Sequence, residues 1–139
     1  MPVISQTYPT DGNLVIYEEG SEVGWTRKGV VVNETVDTVY GHGTVLGKVT
    51  ATGKWKVCSP SAVDGSQNAA GIVRWQSTAN GGDFTVKAIT DTRVVISYRG
   101  SLMVSKDALR FGPGFTTQVQ KDAAIAQLEA LGIESTVTI

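Results

Sequence analysis

His42, Asp64 and Ser66 are the residue types of a hydrolytic triad, in which an imidazole takes the serine proton while a carboxylate holds the ring in position. The surroundings do not support that chemistry. No GxSxG elbow flanks Ser66, and such an elbow is what lifts a nucleophile out of a strand-to-helix turn. Asp64-Gly65-Ser66 reads instead as a turn, and Gly41-His42-Gly43 as the turn entering a strand, with the imidazole exposed or capping backbone. A single histidine and a single cysteine cannot furnish the usual zinc cage, so no metal site is expected. Cys58 reads as a small strand residue rather than a nucleophile. No catalytic residue and no cofactor site is assigned, and the chain is expected not to be an enzyme.

The remaining short matches are equally plain. Gly41, Gly43 and Gly47 are spaced GxGxxxG rather than GxGxxG, and no Lys-Ser/Thr pair completes a phosphate loop, so they read as turn glycines. Asn33-Glu34-Thr35 fits a glycosylation sequon, but no signal peptide accompanies it. Trp25, Trp55 and Trp75 offer the material of a sugar-stacking platform, or else core and interface residues. Trp55 and Trp75 are the candidates for the core or a subunit interface. Arg27-Lys28 is too short a basic run for nucleic acid.

Behind these residues stand three kinds of segment. From Met1 to about Lys28, Pro2, Pro9, Asp11-Gly12, Glu18-Glu19-Gly20 and Gly24 leave room for one short β-prone run, Leu14-Val15-Ile16-Tyr17. This segment, 1–28, reads as an arm. Its apolar side chains Val3, Ile4, Tyr8, Leu14, Val15, Ile16 and Tyr17 need cover. They find it either as an edge strand of their own domain or on a partner.

The second kind, from Gly29 to about Tyr98, is strand-like. Val30-Val31-Val32, a hairpin from Val45 to Cys58 turning at Gly53, Ile72 to Trp75, Phe84 to Ile89 and Val94 to Tyr98 alternate with turn clusters. In the hairpin, Trp55 and Val57 oppose Lys54 and Lys56, as a half-buried ladder requires. Val94-Val95-Ile96, apolar on both faces, predicts a central strand. The third segment changes period. TQVQKDAAIAQLEAL, 117–131, predicts an amphipathic helix burying Ala124, Leu128 and Leu131 beside Ile125, capped by Thr116 or Thr117 and ended by Gly132. A final strand follows at 135–139. The expected fold is mainly β with a C-terminal helix (α+β), a small barrel or sandwich over 29–139 with an extended N-terminal arm.

Composition narrows the function classes. The chain has 139 residues, twelve basic and thirteen acidic, for a net charge of −1, and a pI near 5.8. Dispersed lysines and arginines argue against nucleic acid as a partner. No long apolar run points to a membrane, and no apolar h-region points to secretion, so a soluble protein made in the cytosol is expected.

The succession GTVLGKVTATGKW, a Pro-containing loop, DGSQNAAGIV and a helix-plus-strand end resembles the head decoration proteins of tailed phages. The match is closest from Gly43 to Val73 and extends over Tyr98 to Ile139; before Gly29 it rests on Asn13-Leu14. The order of the pieces, rather than any one word, carries it. The resemblance implies a capsid decoration (cement) protein, seated as a homotrimer at three-fold sites on the outer surface of the expanded head and stabilising the shell. Its partners would be the major capsid protein, reached by the arm, and further copies of itself. A small carbohydrate- or ligand-binding β module is the alternative from a different class, resting on the three tryptophans and the Asn80-Gly81-Gly82-Asp83 loop.

Overall fold

The computed structural model describes residues 14–20, 23–74 and 83–136. Among them the strands run β1 (Val15–Glu18), β2 (Arg27–Val32), β3 (Thr38–Tyr40), β4 (Val45–Lys48), β5 (Trp55–Val57), β6 (Gly71–Val73), β7 (Phe84–Val86), β8 (Thr92–Ser97), β9 (Leu102–Ser105) and β10 (Ile133–Thr136). One α-helix, α1 (Gln118–Ala130), precedes β10. The expected class holds: mainly β, with a single C-terminal helix.

The architecture is a barrel rather than a sandwich. β2, β5, β4, β6 and β8 close on one another in that order, with β2 and β8 paired antiparallel over six residues from Arg27↔Ser97 to Val32↔Thr92. The predicted hairpin supplies two neighbouring staves, β4 and β5, in the register Leu46↔Val57, Gly47↔Lys56 and Lys48↔Trp55. Its turn depends on Gly53, at φ 71°, where an L side chain is strained. Closure removes the exposed edges that an open five-stranded sheet would leave.

Outside the barrel lies a second sheet, ordered β1-β9-β10, with β1 antiparallel and β10 parallel to β9. β3 and β7 form a separate ribbon, Thr38↔Val86 to Tyr40↔Phe84. Two apolar clusters result. The inner one fills the barrel with Val30, Val32, Leu46, Trp55, Val73, Val86, Val94 and Ile96, and includes Tyr40. The outer one joins barrel, second sheet and helix through Leu14, Val45, Ile72, Leu102, Val104, Ala124, Leu128 and Ile133.

This layering explains where the periodic reading needed correction. Val45 belongs to the outer cluster and Leu46 to the inner one, so β4 is buried on both faces rather than half-buried. Val95, expected inside a central strand, is 42% exposed because β8 presents its alternate face to solvent. The predicted helix is present, opened by a capping box in which Thr117 accepts from Gln120 N and Gln120 reaches back to the cap. It buries Ala124, Ile125 and Leu128, whereas Leu131 stays 39% exposed because the helix has already ended there. The last strand starts earlier than expected, at Ile133; the expected strand residues 137–139 lie outside the described residues. β9 carried too few residues between Ser101 and the following 3-10 turn to stand out in the sequence.

Candidate functional site

The triad types do not form a catalytic group. Ser66 is fully buried, and its hydroxyl and amide both donate to Asp64 Oδ1, at 2.6 and 3.0 Å. Those two hydrogen bonds, with Lys56 nearby, hold the Asp64 carboxyl below the usual carboxylate range. The serine is thus committed to shaping the 64–68 turn, which packs so closely on β4 that a Cβ at Gly47 would overlap the Ser66 carbonyl. His42, expected at the surface or on backbone, is 2% exposed. Cys58 is buried, donates its Sγ–H to Gln67 O at 3.6 Å, and has its thiol pushed up to about 11 by burial, so thiolate is scarce at neutral pH. No group of three or more metal-ligating side chains occurs among the described residues.

The sequon positions are structural as well. Asn33 Nδ2 donates to Asp91 Oδ1 at 2.7 Å. Glu34 is buried and accepts from Tyr40 Oη at 2.5 Å and from Val57 N at 2.8 Å. Burial first, then the hydrogen bond and charge of Glu34, push the Tyr40 phenol far up. Among the described residues the tryptophans are not displayed together either. Trp55 is 5% exposed, within the barrel core. Trp25 is 48% exposed, but the Arg99 guanidinium lies 3.6 Å from its ring centroid and Arg99 Nε donates to Trp25 O at 2.7 Å. Trp75 lies outside the described residues, as do Asn80-Gly81-Gly82 and the arm residues Val3, Ile4 and Tyr8.

The rest of the arm's apolar run divides by face. Leu14 is 1% exposed and packs in the outer core, and Val15 packs against that core from β1. Ile16 and Tyr17, at 49% and 57%, face outward. β1 lies at one end of its sheet, so its far edge carries no strand among the described residues. A short apolar run therefore serves as an internal strand and also presents two side chains at an open sheet edge.

What locks this strand down was not legible in the sequence. Glu18, the last residue of β1, is bonded by Arg74 Nη2 to Oε1 at 3.2 Å, by Arg27 Nε to Oε2 at 3.1 Å, and by the Thr26 hydroxyl. Arg74 Nη1 also donates to Ser97 Oγ at 3.0 Å. With the Glu18 side chain 6% exposed and that of Arg74 3% exposed, this buried network ties β1 to staves β2 and β8 and to the residue that follows β6. Burial opposes ionisation of Glu18, but the hydrogen bonds from Thr26 and Arg74 and the charges of Arg74 and Arg27 outweigh it, leaving the carboxyl below its ordinary 4.5.

A pH dependence follows from that sign. The unfolded chain holds the Glu18 proton more tightly than the folded one, so this contribution is complete above about pH 4.5 and is lost as pH falls through the lower folded value. Glu18→Gln is expected to cost about 2 kcal/mol at pH 7. In urea titrations across pH, the gap between wild type and variant should stay constant above pH 5 and narrow below 4.5. A gap independent of pH would mean that the charge of Glu18 contributes nothing.

No helix among the described residues is long and apolar enough to cross a membrane. A comparison with curated proteins finds no match. A family model described as bacteriophage lambda head decoration protein D matches residues 4–133, a span that includes the barrel and the helix and ends at the first residue of β10. By that match the chain belongs to the lambda head decoration protein D family, a family of structural phage capsid proteins rather than of enzymes.

Proposed function

We propose that this chain cements an expanded phage head as a homotrimer seated at three-fold sites on the outer surface, with the major capsid protein as its partner. The observation that carries the reading is the family match over residues 4–133, which takes in most of the chain and assigns it to the capsid. The protein would be made in the host cytoplasm and join the shell after expansion.

The mechanism is multivalent clamping. Segment 1–13 precedes Leu14 in the chain, and among the described residues β1 has no strand on its far edge, with Ile16 and Tyr17 exposed beside it. An extended segment entering here can add a strand to an exposed edge of the capsid subunit through main-chain hydrogen bonds. Were the arm ordered only on binding, that ordering would cost about 1–2 kcal/mol per residue in backbone entropy, and a single arm would bind weakly. Three arms on one trimer offset this, because the first contact raises the effective concentration of the other two by linkage alone.

Residues 1–13 are therefore the docking segment, with Ile16 and Tyr17 at its root and Leu14 and Val15 anchoring it to the domain. Removing 1–13 should leave a protein whose melting temperature lies within about 3 °C of the parent. Its occupancy on expanded heads lacking decoration should fall at least about tenfold. Full occupancy by the truncated chain would sink the arm mechanism, and failure of the intact chain to bind such heads would sink the decoration reading.

A further inference from the structure

We infer that the seam between copies is formed by two adjoining faces of opposite charge, a lysine-lined cleft on the barrel and a glutamate-bearing groove on the second sheet. The inference rests on the trimeric reading above and assigns residues to its interface. Three identical copies close a ring only through a heterologous contact, in which one face of each subunit meets a different face of the next. Both faces of a subunit then meet along the edge nearest the axis.

The first face is an open cleft of about 430 Å³ between β2 and the β4–β5 turn, holding Lys28, Lys48 and Lys54 beside Trp55. Among the described residues Lys54 is neutralised by Asp91 at 3.0 Å, while Lys28 is held over aromatic rings rather than paired with an acid, 4.2 Å from the Tyr98 centroid and 5.6 Å from that of Trp55. The second face is a groove of about 350 Å³ between β1, β9 and the end of α1, lined by Tyr17, Met103, Glu129 and Glu134. Neither glutamate forms an ion pair among the described residues.

The two faces share an edge. From Lys28 the ladder of cations and rings continues through Tyr98 to Arg99, whose guanidinium stacks on Trp25. Trp25 Nε1 then donates to Gly100 O at 3.3 Å, and the next residue, Ser101, already lines the acidic groove. Exposed Trp25 on this edge and exposed Tyr17 in the groove are the aromatic types that dominate binding energy at interfaces, as arginine is. The complementary occupant of the basic cleft is thus the acidic groove of a second copy, and the Trp25–Arg99 edge lies toward the three-fold axis.

Charge reversal tests this. Lys48→Glu and Glu134→Lys, both at exposed positions, are each expected to lower trimer formation at least about tenfold, and the double variant to recover most of it, because its two faces are again complementary. Lys28→Glu with Glu129→Lys, again at exposed positions, provides an independent pair. Trimer content is read by sedimentation of the free chain and by counting trimers on decorated heads in electron micrographs. Single variants that trimerise like the parent, or double variants no better than the singles, overturn the seam. So do parent chains that load onto heads as isolated copies, which would leave the decoration reading standing; a parent chain that neither self-associates nor loads overturns both.

Discussion

Leu14→Asp is expected to unfold the isolated protein well below the parent's melting temperature, although Leu14 lies at the start of a segment whose composition is that of an arm. The side chain is 1% exposed and packs in the cluster that joins the barrel to the second sheet and the helix. Deleting a buried leucine side chain costs about 2–5 kcal/mol, and the carboxylate put in its place has no cation prepared for it in an apolar cluster. A total near 5 kcal/mol is a large part of the stability of an ordinary domain. The melting temperature should drop by about 15 °C or more. Ile16→Asp, two residues further along and within β1 but 49% exposed, is the internal control and should cost less than about 1 kcal/mol. If the two substitutions had equal effects, β1 would not be an integral strand, and the whole run from Leu14 to Tyr17 would return to the docking segment.

Trp55→Ala is expected to cost about 3–5 kcal/mol, read as a lower midpoint in urea with the slope unchanged. Trp55 reaches the barrel core at the one place where β2 and β5 pair in parallel, Val32↔Trp55, and Asn33 N donates to its carbonyl at 2.9 Å. Truncation would remove the largest side chain of the inner cluster at the point where the barrel closes. Trp25→Ala tests the contrast. Its ring is half-exposed and held by a stacked guanidinium and one long, exposed hydrogen bond to Gly100 O, so the free chain should lose only about 1 kcal/mol. On the seam proposed above, the same change should damage trimer assembly far more than folding.

The elements that could be read in the sequence are those whose pattern is local. The hairpin at Val45 to Cys58 is set by alternation and by a glycine where the turn needs positive φ. The helix is set by apolar spacing, a threonine cap with Gln120 three residues on, and Gly132 at the end. β9 escaped notice because its four residues, Leu102–Ser105, form the middle strand of a sheet whose neighbours come from opposite ends of the chain. The Glu18 network escaped for the same reason. Arg74 lies 56 positions from Glu18, and Ser97 lies 23 positions beyond Arg74, so no local spacing signals that they meet.

Taken by itself, the sequence determined the class of the fold, the helix and its cap, the hairpin and its turn, and the family, because alternation, capping chemistry and the order of words depend on neighbours along the chain. Tertiary structure alone decided that five staves close into a barrel, that β4 is buried on both faces, and that Leu14 belongs to the core while Ile16 and Tyr17 do not. Burial depends on what packs against a residue from elsewhere in the chain. An apolar side chain in an extended strand is equally suited to its own core and to a partner's edge until the opposing surface is in place.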